Sequence, residues 1–110
     1  MELLDHVQGS CPIEYTMEVV GGKWKLLIIY YLMATKLMRY GELKRNISGI
    51  THKMLSSQLK DLENHGIIVR KEYPQVPPKV EYSLSEVGAT LLPIFGMMYE
   101  WGEKNMPEDM

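Results

Sequence analysis

Lys53, Ser56, Ser57, Lys60 and Asn64 recur at mostly three- and four-residue spacings within GITHKMLSSQLKDLENHG, residues 49–66. Side chains so spaced share one side of a helix. With Leu55 set at zero and 100° per residue, Leu59 falls at about 40° and Leu62 at about 340°, a stripe suited to burial. Lys60, Lys53, Asn64 and Ser57 fall between about 140° and 200°, and Ser56 at about 100°. Asp61 and Glu63 lie to either side, at about 240° and 80°. A solvated helix face ordinarily mixes Glu with Lys for i, i+4 pairing. This one has short hydroxyls at its middle, flanked by two lysines. Such groups can recognise a partner through hydrogen bonds and charge. The major groove of DNA admits a helix of this kind. There Ser can donate or accept at base edges, and Lys reaches guanine O6/N7 or phosphate. The N-terminal half of a recognition helix makes most base contacts, and here it holds His52, Lys53, Ser56 and Ser57. Phosphate contacts need further polar and basic groups. Arg39, Lys44, Arg45, Thr51, Lys60 and Lys79 are placed in the sequence to supply them.

Other chemistry is sparse. His52 and His65 are thirteen residues apart, so on one helix they diverge by about 220°. Zinc needs at least a third ligand nearby, and neither His6 nor Cys11 joins them by local spacing. No metal site and no cofactor are expected. No Ser/His/Asp constellation and no phosphate-binding glycine loop is present, so no enzyme is expected. Cys11 is the only cysteine, which excludes an intrachain disulfide. It is either an inert, partly buried thiol or a reactive one. Reactivity would need positive charge close by, for which Lys23 and Lys25 are candidates.

The elements that must position these groups follow from pattern. A helix over 13–20 opens after Pro12, a residue favoured in a first turn, and ends at Gly21-Gly22. A second covers 23–34, with Trp24, Leu27, Ile28 and Tyr31 on one buried face. A short helix over 40–47 places Tyr40, Leu43 and Ile47 on one side. Ser48-Gly49-Ile50 is a tight connection, Thr51 caps the next helix, and Gly66 stops it. Alternation over 68–73 and 80–84 then predicts two strands. PQVPPK, residues 74–79, joins them as a stiff loop with a basic tip. A last helix starts after Ser85 and runs to about Glu103, bent by Pro93. Its apolar residues cover more than one side, which calls for a second chain.

With 110 residues, 45% hydrophobic, the chain is expected to form one domain. Disorder is expected only at the tips, 1–10 and 103–110. The longest apolar run, Leu26–Ala34, is too short to cross a bilayer, and no signal peptide is visible. A soluble cytoplasmic protein is the default. The net charge of −2 hides an asymmetry. Residues 22–80 carry eleven Lys/Arg against four acids, while both ends are acidic. A basic centre can create a local attractive field despite a low pI.

CP at 11–12, GGKWK at 21–25, RYGELKR at 39–45, the 49–66 stretch and VPPKVEYSLSEVG at 76–88 together resemble the HxlR-type family of bacterial regulators. The likeness runs from Cys11 to about Trp101. Tyr40 and Thr51 stand where Phe and Ser are commoner. The resemblance implies a mainly α fold with a small β-hairpin wing (α+β), a winged helix-turn-helix. It implies a homodimer joined through helices 13–20 and 86–103, with Leu91, Ile94, Phe95, Met98 and Trp101 at the interface. Its helix-turn-helix would span 39–65 and its wing 67–84. Helix 51–65 would enter the major groove of an inverted-repeat operator, and 74–80 would touch backbone or minor groove. Cys11 matches the position at which some members sense electrophiles or oxidants. The resemblance names no small-molecule effector. The competing expectation is a winged-helix module that binds protein and not DNA.

Overall fold

The structure, a computed structural model, describes residues 11–109. His6 and the N-terminal tip lie outside the described residues. The order is α1 (Pro12–Val20), α2 (Lys23–Thr35), β1 (Met38–Arg39), α3 (Tyr40–Asn46), α4 (His52–Asn64), β2 (Ile68–Tyr73), β3 (Lys79–Leu84), α5 (Glu86–Ala89) and α6 (Leu92–Asn105). The fold is mainly helical with one small antiparallel sheet of order β1-β3-β2.

Helix α2 is the centre. Its buried face is Lys25, Ile28, Ile29 and Leu32, not the expected Trp24, Leu27, Ile28 and Tyr31, which share only Ile28 with it. Trp24, Leu26, Leu27, Tyr31 and Met33 of α2 are half-buried against neighbouring elements. A helix apolar all round carries no amphipathic phase, so its deepest side is set by what packs on it. Strand β1 was not expected. Two residues have no period to read. They are extended because Met38 and Arg39 pair with Tyr82 and Glu81 on β3. This pairing fixes where α3 begins. The Glu42 carboxylate then accepts from the Arg39 amide at 2.8 Å, closing the first turn.

The expected last helix is two. α5 ends at Ala89, and the amides of Thr90 and Leu91 turn back to the carbonyls of Val87 and Gly88. Pro93 has no N–H to give Ala89, and its ring would clash with that carbonyl in a continuous helix. It therefore sits in the first turn of α6 instead of bending a longer helix. Ser85 caps α5 as expected, its Oγ accepting from the Gly88 amide at 2.9 Å. α6 runs to Asn105, into the tip expected to be disordered. No residue of α6 is fully buried. It rests on the core through half-buried Phe95, and Tyr99 lies nearly parallel to Tyr30 of α2, ring centres 6.4 Å apart.

Candidate nucleic-acid interface

Helix α4 is fixed at both ends and along its back. Thr51 Oγ1 accepts from the Met54 amide at 3.0 Å, which satisfies one of the first-turn donors. After His65 the chain leaves through Gly66 at φ +73°, a conformation open to glycine. Leu55, Leu59 and Leu62 are at most 2% exposed. The connection from α3 turns at Gly49, φ +84°, and Ile50 is buried beside it. The α3 end is held from α2, because Tyr31 donates its hydroxyl to the Asn46 carbonyl at 3.1 Å.

With the back pinned, the front is determined. Lys53, Ser56, Ser57, Lys60 and Asn64 are exposed, as the helical angles required, and His52 in the first turn is exposed too, although its angle of about 60° lies close to that of Leu59. A groove of about 650 Å³ separates α4 from the sheet, lined in part by Ser56, Lys60, Asn64 and Arg70. Arg39, Arg45 and Thr51 are exposed and Lys44 is half-buried. Arg70 was overlooked in the sequence. It borders the recognition helix and pairs with Glu72 at 3.0 Å. Tyr82 and Glu72 stabilise its charge further.

One basic residue behaves differently from expectation. Loop 74–78 carries no cation, and its Val76 is 99% exposed. The hairpin register pairs Tyr73 with Lys79, so Lys79 belongs to the strand beneath the tip. Its Nζ lies 3.4 Å from Glu81 Oε2 and 4.5 Å from the centre of the Tyr73 ring. Lys71 also sits over that ring, at 5.0 Å. Tyr73 donates its hydroxyl to Glu81 Oε1 at 2.7 Å. That bond, with Lys79 adding to it, holds the Glu81 carboxyl below the usual carboxylate range, although burial pushes the other way. The wing is therefore stiffened by its own charges.

Cys11 is the N-terminal flanking residue of α1, half-buried, and its side chain caps no amide. The two lysines considered for it are committed elsewhere. Lys23 lies 4.6 Å above the Trp24 ring, and buried Lys25 reaches Asp61 of α4 at 3.5 Å. Among the described residues no group of His, Cys, Asp and Glu could hold a metal, and no helix is long and apolar enough to cross a membrane.

A profile of the HxlR-like helix-turn-helix family matches residues 19–110. The chain belongs to that family. It is 58% identical over 94 residues to an uncharacterised HTH-type transcriptional regulator of Halalkalibacterium halodurans, covering 86% of this chain and 83% of that one. The oxidised form of the redox regulator HypR superposes with a TM-score of 0.83 at 49% identity, covering 88% of this chain and 99% of HypR. The reduced form of YodB, a transcriptional regulator from B. subtilis, gives 0.74 at 35% identity, over 89% and 96%. The winged-helix character of the fold agrees with these neighbours, and β1-β3-β2 is the wing sheet.

Of the five interface residues expected in this family, Leu91 and Phe95 pack partly on the chain's own core. Ile94, Met98 and Trp101 are exposed. Met97, at 72% exposed, and Leu92, Ile13 and Tyr15 widen the same apolar character onto α1 and the rest of α6. The sequence signal for them was present in the all-round apolarity of 87–101, but it does not separate self-packing from free residues.

Proposed function

We propose that this chain is a sequence-specific DNA-binding transcriptional regulator acting in the cytoplasm as a homodimer. Helix 51–65 lies in the major groove, and the 74–80 wing lies against the backbone or minor groove. The observation that carries this reading is the front of α4. Its leucine back is sealed, and its exposed middle is short, polar and flanked by lysines, with Arg70 across the groove. The regulator names of the relatives favour it over a winged-helix protein-interaction module.

The homodimer rests on α1 and α6. Met97 and Trp101 are 72% and 70% exposed, with Leu92, Ile94 and Met98 exposed on the same helix, and contiguous exposed apolar surface marks an interaction site. The chain's radius of gyration is 15.9 Å, against about 13 Å for a compact domain of this length. An extended molecule with an unburied apolar helix fits half of a shared core. Two recognition helices then require half-sites about 34–36 Å apart, or a multiple of this.

Cys11 extends the proposal to thiol chemistry, in line with HypR and YodB. Two Cys11 thiols, one from each protomer, lose two protons and two electrons to diamide. An intersubunit S–S bond forms, and the azo group is reduced to a hydrazine. Its position at the head of α1 lies on the apolar side assigned to dimerisation.

The test is a fluorescence titration of fragments flanking the protein's own gene against random duplex, at two salt concentrations. One fragment should outcompete random DNA, and its affinity should fall steeply with salt as counterions are released. If no fragment outcompetes random DNA, the regulator reading fails. Diamide should shift binding of the native protein and leave Cys11→Ser unchanged.

A further inference from the structure

Three polar atoms of α4 surround the hydroxyl of Tyr40, the first residue of α3. They are His52 Nδ1 at 3.1 Å, the His52 carbonyl oxygen at 3.2 Å and Ser56 Oγ at 3.1 Å. The Tyr40 and His52 rings lie nearly parallel, 8° apart, with centres 5.8 Å apart. A phenol hydroxyl has one proton to donate and two lone pairs to accept with. A carbonyl oxygen can only accept. All three contacts are hydrogen bonds in one proton arrangement alone. Tyr40 donates to the His52 carbonyl, Nδ1–H of His52 donates to Tyr40, and the Ser56 hydroxyl donates to Tyr40. If Tyr40 gave its proton to Nδ1 or to Ser56, its contact with the carbonyl would hold no hydrogen.

The consequence appears on the other side of these two residues. A neutral His52 protonated at Nδ1 turns a bare Nε2 outward. Ser56, its proton committed inward, turns lone pairs outward. Both groups are exposed and so offer acceptors to a partner docked on α4. In the major groove every base pair has one amino base, adenine with N6 or cytosine with N4, and one keto base, guanine with O6 or thymine with O4. An acceptor pairs with the amine and meets a keto oxygen as an unfavourable lone-pair contact. We propose that Tyr40 is a specificity-determining positioning residue. Through its hydroxyl it holds His52 and Ser56 in acceptor states, so that the base positions they meet select adenine or cytosine over guanine or thymine. The inference rests on the reading of α4 as the helix that enters DNA.

Two measurements test it. In binding-site selection, the wild-type protein should show positions, one or two per half-site, where A or C is preferred over G or T on the contacted strand. A single hydrogen bond supports roughly 3- to 10-fold preference there. In Tyr40→Phe the ring still packs on His52, but Ser56 can rotate its proton outward and His52 can change tautomer. The amino-over-keto preference at those positions should collapse to within about 2-fold, with other positions, random-DNA affinity and salt slope retained. An unchanged selection profile overturns the proposal. So does a uniform loss at every position, which would mean a merely structural tyrosine. The second measurement needs neither DNA nor the variant. Imidazole ¹⁵N spectra of the free protein, where the ring is neutral, should show His52 protonated at Nδ1. An Nε2-protonated ring overturns the assignment. Wild-type protein with no sequence preference at all would sink the regulator reading instead, and the spectra would still judge the proton arrangement.

Discussion

Asp61→Asn should destabilise the fold more than Lys25→Met, although both remove the same ion pair. Lys25 is held with its side chain 11% exposed, while Asp61, 3.5 Å away, is 50% exposed. The attraction of charges at that distance is about 5 kcal/mol at an effective dielectric near 20. Burying the ammonium costs several kcal/mol and offsets most of it. Asp61→Asn removes the attraction and leaves the ammonium buried. Breaking a fully buried pair in this way costs about 3–5 kcal/mol. Because half of Asp61 is in water, its loss should cost about 1–2 kcal/mol. Lys25→Met removes the attraction and the desolvation together and keeps a flexible apolar stem of similar length. Asp61 then stays solvated, so the change should lie within about 1 kcal/mol of zero. The double variant should match Lys25→Met, recovering what Asp61→Asn lost. For a chain of this size the Asp61→Asn loss corresponds to roughly 4–8 °C in Tm. The assay is urea unfolding at one fixed protomer concentration, since dimerisation is linked to stability. Slopes should be unchanged. Lys25→Met costing as much as Asp61→Asn, or no recovery in the double variant, would refute the asymmetry and the account of α2 and α4 behind it.

Ser57→Glu should reduce specific DNA affinity by at least about 100-fold, and stability should change by less than about 0.5 kcal/mol, since the residue is exposed opposite the leucine stripe. Loss of fold, read by thermal melting, would contradict the orientation of α4. Glu81 gives a pH signature. Its folded carboxyl titrates below its ordinary value, chiefly because Tyr73 donates to it. The stabilisation is therefore present above the unfolded carboxylate range, near about pH 4.3, and is lost as pH falls through the folded value. Tyr73→Phe should lower amide protection in β3 at pH 6–7, and the gap to wild type should close as pH falls through the folded carboxyl's value; a gap independent of pH would rule the carboxylate out. Met97→Asp should turn a dimer into a monomer in sedimentation, because the residue is 72% exposed on one chain; an unchanged mass would remove α6 from the interface.

What could be read in advance divides by how local its cause is. α4 was legible because its cap, its stripe and its terminal glycine all sit within 49–66 and agree. The hairpin was legible because period-two alternation returned on both sides of a proline-rich loop. β1 was not, since its two residues are extended only through partners some forty positions away on β3. The inner face of α2 was not, because Leu26–Ala34 is apolar on every side and only α4, β3 and the other neighbours choose the phase. Lys79 was assigned to the loop tip by sequence proximity. The register with Tyr73 placed it in the strand, where Glu81 and an aromatic face hold it.

The site residues show the same limit more sharply. Exposure of all but His52 followed from helical angles, but the hydrogen-bonding state did not. Ser56 and His52 are each able to donate or accept, so the α4 sequence leaves the sense of their readout open. That choice is made by Tyr40, twelve and sixteen residues upstream, on α3, where the sequence offered only Lys44 and Arg45, as phosphate contacts. Tyr40 is itself placed by β1, which starts α3 where Arg39 pairs with Glu81, and Glu81 is the carboxylate that Tyr73 and Lys79 hold in the wing. The element with no signal of its own thus lies between the wing and the groove-facing side chains. A change at Glu81 that loosened the pairing of β1 would be felt in the proton arrangement of His52 and Ser56, although Glu81 bonds to neither.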